Sequence, residues 1–466
     1  MTRATARLLH SRRLHEGPLR VLSASGQLGY GIPADALARG MARRPHFIGA
    51  DMGSIDPGPY YLGSGAMAAP EAMVRRDLTL VLQAALEAGI PLLIGSAGTA
   101  GAQPQLARVT AMLREIAQDL GRSFRLATIA SDLPPELVLK ARREGLLAPI
   151  GAMPEPGEAD ILACSHIVGQ CGTETFVRAL ATDPDVVLAG RACDTAIFAA
   201  LPEMLGYPAG LALHMAKIIE CTSLCCRPGG RDAMLAELDL EGFTLESMNP
   251  ASHATPASVA AHALYEQADP FSVEEPGGTL HLGDARYQAI DEHRTRVSGA
   301  RFERRARPTL KIEGARPLGA RAVLLAGIAD PILLACLPEV LAAVTAKVRA
   351  LLPGDWQAVP HVYGQGAVRP LPPALRAQHE AGLVIEFIAP DPELARTPAA
   401  VCKQHLLHHA YPGRVATAGN LAFAFTPSEL DAHHAYGFVL YHVMGDAPLE
   451  DIFHIETHDI VGRRAA

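Results

Sequence analysis

Three groups of side chains in this 466-residue chain have types and spacings that can do chemistry. His166, Cys171 and Glu174 fall together in the run HIVGQCGTE. An imidazole titrates near neutrality and can move a proton. A carboxylate can do the same, and a thiol beside a base can act as a nucleophile. Free cysteine is more often a small buried filler, so His166 and Glu174 are the catalytic candidates here. Asp51 and Asp56 flank Gly53. Such a pair can supply acid and base, or hold a divalent ion. Asp56-Pro57-Gly58 has the composition of a turn, whereas Asp51 ends an apolar run and is the third catalytic candidate. Arg191 and Asp194 form the third group. Arg191 offers a planar fork to a carboxylate or phosphate, and Asp194 stands at a helix start, where an N-cap is expected.

A fourth stretch, PLLIGSAGTAGAQPQLARVTAMLREIAQDL from Pro91 to Leu120, could seat an anion. Pro91 to Ile94 reads as a buried strand. Glycines follow at Gly95, Gly98 and Gly101, with Ser96 and Thr99 between them. Pro104 suits a first helical turn, and Leu106, Val109, Leu113, Ile116 and Leu120 make one apolar stripe. A strand, a glycine loop and a helix start can present free N–H groups to negative charge. No Lys-Ser or Lys-Thr follows, and the spacing is not that of a dinucleotide site. The alternative is a tight connection that binds nothing.

Metal signals are weak. Glu220-Cys221 and Cys225-Cys226 suggest a metal reading, but the spacing C-x-x-x-C-C has no second pair at zinc-site distance. His405 and His409 are four apart on a predicted helix, with His408, His433 and His434 nearby, but no third ligand is evident. No cofactor is predicted, and a divalent metal at the aspartates stays as an alternative.

The elements that must position these residues alternate strand and helix. Arg20–Ala24, Phe47–Asp51, Phe124–Ile129, Asp160–Cys164 and Asp185–Ala189 read as further strands, with helices between them. This order predicts an α/β fold: a mostly parallel sheet with helices on both faces. Ligands in such sheets bind beyond the carboxyl ends of the strands. The predicted organisation is a disordered or basic extension over 1–19, a ligand-binding α/β domain over 20–235, an irregular β-rich connector over 236–315, and an α+β domain over 316–466. The last shows the βαββαβ order of split βαβ, ferredoxin-like folds.

Formal net charge is −8 and aromatics are 5% of the chain. Both argue against a nucleic-acid partner. No apolar run is long enough for a membrane helix, and the basic N-terminus lacks the apolar segment of a secretory signal. Eight cysteines in so long a chain make no disulfide framework. A cytoplasmic setting and a homo-oligomer are expected.

Taken together, PLLIGSAGTAG, DVVLAGRACDTAIFAALPEMLGYP, HMAKIIEC, YGFVLYHVM and PLEDIFHIE resemble the acyclic terpene utilisation A-like family of bacterial proteins. The resemblance runs from about Arg20 onward and implies a ligand-facing site at Gly95, Ser96, Gly98, Thr99, Arg191, Asp194 and Glu220. It also implies catabolism of branched terpenoid acids through CoA thioesters. Some relatives carry a small fused C-terminal domain with a G-R-S-G-D-K-G type motif. This chain lacks that motif, which implies a separate small companion protein. The expected function is an enzyme of lyase or hydratase type, or an isomerase, acting on a small anionic carboxylate or acyl-CoA. The alternatives are a non-catalytic or co-catalytic subunit that binds the companion, and a metal-dependent hydrolase using Asp51, Asp56 and the histidines. Neither a nicotinamide fingerprint nor a G-x-S-x-G elbow is present.

Overall fold

The computed structural model describes residues 3–11, 16–265 and 269–462. The chain divides into two compact units, Met1–Arg316 with Phe438–Ala466, and Pro317–Gly437.

The first unit is built on a ten-stranded sheet. Its centre is five parallel strands, in spatial order Leu19–Ser25, Phe47–Asp51, Leu92–Gly95, Val186–Ala189 and Phe124–Ala130. Every residue of Phe47–Asp51, Leu92–Gly95 and Val186–Ala189 is buried. That follows from helices covering both faces of a parallel sheet. Strand alternation sorts the apolar side chains: Leu92 and Ile94 enter one core cluster and Leu93 the other. The helices Glu71–Ala88 and Gln103–Leu120 close the first face through Leu78, Val81, Val109 and Leu113. Asp194–Met204 and Ala209–Ile219 close the second through Ile197, Phe198, Leu213 and Ile218. The fold class read from the sequence is the one found.

Antiparallel strands extend the sheet at both edges. Met234–Leu238 pairs with Leu19–Ser25 and leads to Gly242–Ser247, Arg294–Ser298 and Arg286–Ala289. His454–Ile460 pairs with Phe124–Ala130 at the other edge. Residues 236–315 are therefore part of this unit rather than a connector, and so are residues 438–462. The expected strand Asp160–Cys164 is corrected. Glu158–Leu162 is a helix, and the strand is His166–Gly169, paired antiparallel with Ile312–Ala315. A short apolar run cannot separate the two by periodicity.

The N-terminal expectation is corrected over residues 3–11, while 1–2 and 12–15 lie outside the described residues. Ala4–Ser11 is a helix whose first N–H groups are capped from elsewhere: Ala4 donates to Asp185 and Ala6 to Asp183. No helix among the described residues is long and apolar enough to cross a membrane.

The second unit contains the βαββαβ order. Its strands stand as Gln357–Tyr363, Ala381–Ala389, the part of Leu310–Ile328 from Pro317 onward and the part of Glu429–Met444 up to Gly437, the arrangement of a split βαβ fold. Leu337–Leu351 and Pro392–His408 supply Val344, Val348, Ala399 and Cys402 to its core. The second helix starts six residues before the Pro398 expected from the sequence. Asp391 caps it by accepting from the Leu394 N–H.

One buried carboxylate shapes the loop after the first strand. Asp77 is fully buried and accepts N–H groups from Gly29, Gly31 and Ile32 at 2.9–3.0 Å. Asp77→Ala leaves those three donors without a partner. It should destabilise the first unit by about 3 kcal/mol, read as an earlier urea transition, with Asp77→Asn intermediate.

Candidate functional site

The glycine loop is a packed connection rather than an open anion seat. Four of its amides are paired within the fold: Ala97 N–H donates to Ala189 O, Thr99 N–H to Ser96 O, Gly101 N–H to Ala97 O and Ala102 N–H to Gln105 Oε1. Gly95, Ser96, Gly98 and Thr99 are all buried. Gly101, at φ +70°, lets the backbone of Arg191 come so close that any Cβ would collide with it. Several of the loop's donors serve the fold, and the loop is not part of the lining of the cavity at the strand ends.

Arg191 is corrected in the same way. Its Nε and Nη2 donate to Glu313 at 2.8 and 3.3 Å, and Nη1 donates to Ser96 Oγ and Ala192 O. The side chain is 3% exposed and that of Glu313 is 0%. Burial alone would raise the Glu313 carboxyl, but the charges of Arg191 and Lys311 outweigh it and hold it below the ordinary value. Four of its five N–H donors are thus engaged within the fold.

The cavity that does open at the strand ends is acidic. It holds about 320 Å³ and is lined by Asp51, Asp194 and Glu220 among others. Asp51 ends the strand Phe47–Asp51 and is 4% exposed. Its Oδ2 accepts from the Gly53 N–H, while Oδ1 is shut from solvent without a hydrogen-bond partner among the described residues. Burial first, then the Asp194 charge, push this carboxyl well above its usual range against the pull of Arg191. Asp194 does not cap its helix. The N-cap position is Cys193, and Asp194 is the first helical residue, one place too late. Its Oδ1 is also closed off and unpartnered. The side chain instead meets Glu220. Burial and Asp194 push Glu220 up, while Lys217, 3.0 Å away, draws it down. Lys217 Nζ also lies 5.9 Å from the centre of the Tyr265 ring.

At the rim stands Arg231. It is exposed, lies over the Tyr30 ring at 5.9 Å and has no ion pair among the described residues. Ser25, Gln27 and Ser54 share this rim, and Asp56 lies there as well. Sequence reasoning missed Arg231, since an arginine in a Gly-Gly-Arg turn carries no motif.

The other catalytic candidates lie elsewhere. His166 begins the strand His166–Gly169, with Nδ1 3.6 Å from Asp132 Oδ1, and does not line the cavity. Glu174 lines a separate cavity of about 360 Å³ with Arg178, Glu203 and Arg304. Cys171 is fully buried, and burial pushes its thiol up, away from thiolate character. Nine neighbouring residues were thus split by a strand end, which sends each side chain to a different wall.

The family model of the acyclic terpene utilisation family protein AtuA matches residues 68–230. That span contains Arg191, Asp194 and Glu220 and three of the five motifs; over it the chain is similar to that family, a narrower stretch than the resemblance expected from about Arg20 onward. No curated protein and no solved structure matches the chain.

Arg191→Met leaves the Glu313 carboxylate buried beside Lys311 alone. It should cost about 3–5 kcal/mol of stability in denaturant unfolding. Pairing it with Glu313→Leu should recover much of that loss.

Proposed function

We propose that this chain is an enzyme of acyclic terpenoid catabolism that moves a proton at the carbon beside a carbonyl, in a small carboxylate or acyl thioester. Hydration with its reverse, or isomerisation, is the reaction class. The observation that carries this reading is the pair Asp51 and Asp194. Both side chains line one cavity at the carboxyl ends of parallel strands, and each keeps one carboxyl oxygen closed off without a hydrogen-bond partner among the described residues. The family name supports acyclic terpene utilisation.

Two carboxyls in different surroundings divide acid and base between them. In the hydration direction the ionised one accepts a proton from water as its oxygen bonds to the β-carbon. The protonated one delivers its proton to the α-carbon. Atoms balance as enoyl compound plus water giving the β-hydroxy compound, and the two carboxyls exchange roles for the return.

The substrate's negative charge cannot sit beside Asp51, Asp194 and Glu220 without repulsion. Arg231, at the rim, is the cation that fits a carboxylate or phosphate and leaves the reacting carbons pointing inward. This placement replaces the glycine loop and Arg191.

The test is deuterium incorporation from D2O, followed by NMR, with branched enoates and their CoA thioesters. Asp51→Asn and Asp194→Asn should each lower exchange at the α-carbon by roughly 10²–10⁴-fold. Arg231→Ala should raise KM more than it lowers kcat. A folded protein that exchanges none of these compounds, or an Asp51→Asn variant at full rate, overturns the reading.

A further inference from the structure

We propose that Glu220, Cys221 and His262 form a binding site for a divalent transition metal of the zinc type, in the wall of the same cavity. One ligand atom from each lies within 4.8 Å of the others. Tetrahedral zinc holds neighbouring N, O and S ligands roughly 3.3–3.8 Å apart, from its bond lengths, so small side-chain rotations close the set.

Two rigid elements present these residues. Glu220 and Cys221 directly follow the buried helix Ala209–Ile219. His262 comes from the helix Pro256–Leu264, whose start is fixed by a Thr255–Ser258 capping box. The two helices pack against one another. The placement of Cys221 is separate from that of Cys225 and Cys226, whose sulfurs lie 4.0 Å apart, with Cys226 packed on Met234.

The second observation is on the imidazole. His262 Nε2 is shut from solvent and has no hydrogen-bond partner among the described residues. A buried polar nitrogen left unpaired is costly, and a metal ion is one partner that would satisfy it. The donor set also selects the ion. Thiolate, imidazole and carboxylate together suit zinc, and not the oxygen-seeking magnesium or calcium.

Charge and access agree with this. Asp51, Asp194 and Glu220 gather three carboxyls around the cavity, with Lys217 the ammonium that pairs with Glu220. A dication offsets the excess. Glu220 and Cys221 both line the cavity. With three protein ligands, the fourth position of the ion faces that space, the arrangement of zinc sites that act on a bound water or substrate.

Metal binding is measured without turnover, so the outcome is separable from the proton-transfer reading. The full chain is stripped with chelator and dialysed against Zn²⁺, and metal content is determined by mass spectrometry. Co²⁺ is then titrated as an optical probe. The expected result is one equivalent of Zn²⁺, and a Co²⁺ spectrum with a thiolate charge-transfer band and tetrahedral visible bands. Cys221→Ser should remove the charge-transfer band. His262→Gln and Glu220→Gln should each weaken Zn²⁺ binding by at least the roughly 10–100-fold contributed by a supporting residue. Cys336→Ser, in the second unit, should change nothing. Circular dichroism identifies any variant that fails to fold, and the remaining ligand variants then carry the test. A folded wild-type chain that takes up neither ion overturns the inference, as does an equivalent whose affinity survives all three ligand substitutions. One equivalent bound without proton exchange would retain the metal site and remove the proposed reaction, and proton exchange without metal would do the reverse.

Discussion

The ion pair between Arg191 and Glu313 is the constraint on which the cavity depends. It joins the loop after Val186–Ala189 to the strand Leu310–Ile328, and through Ser96 to the glycine loop. Buried pairs of this kind gain little net stability over apolar packing, yet breaking one leaves an uncompensated charge. Their value is in fixing geometry. Here the guanidinium locks the Gly190–Asp194 turn against Gly101 and so aims Asp194 across the strand ends. The charge of Arg191 still acts on Asp51 and Asp194, but its hydrogen bonds go to Glu313, Ser96 and Ala192. The cavity therefore carries an acidic interior, with Arg231 exposed beside it and without an ion pair among the described residues.

That division of charge decides what the cavity can accept. Inside, carboxyls press on one another and retain protons, or accept a cation. Outside, Arg231 and its polar neighbours offer a landing place for an anion. A molecule with a charged end and a less polar reactive end satisfies both. The substrate proposed above, a small carboxylate or acyl thioester, is such a molecule.

The fold was largely legible in the sequence because it rests on local patterns. Short apolar runs closed by glycine turns marked the parallel strands, and helical stripes such as Leu106-Val109-Leu113 marked the layers over them. The βαββαβ order of the second unit was visible for the same reason. The site was less so. Asp51 was found from its place at a strand end and Asp194 from its place at a helix start, and the family motifs added Glu220 and a ligand-facing role for Asp194. Sequence reading failed where a residue's role depends on what it faces. Arg191 looks the same in sequence whether it meets a ligand or Glu313. Asp194 resembles a cap until the helix start is fixed to within one residue. Forty-one residues separate His262 from Cys221, and no spacing rule bridges them.

The path of the chain through the first unit also governs how it can be made. The edge strand Phe124–Ala130 is completed by His454–Ile460, so that His458 meets Thr128 across 330 residues. The whole of Pro317–Gly437 is translated between the two. Units tend to fold as they leave the ribosome. The βαββαβ unit can therefore finish while the larger sheet still has an unsatisfied margin, and nascent chains are exposed to mispairing there until His454–Ile460 emerges.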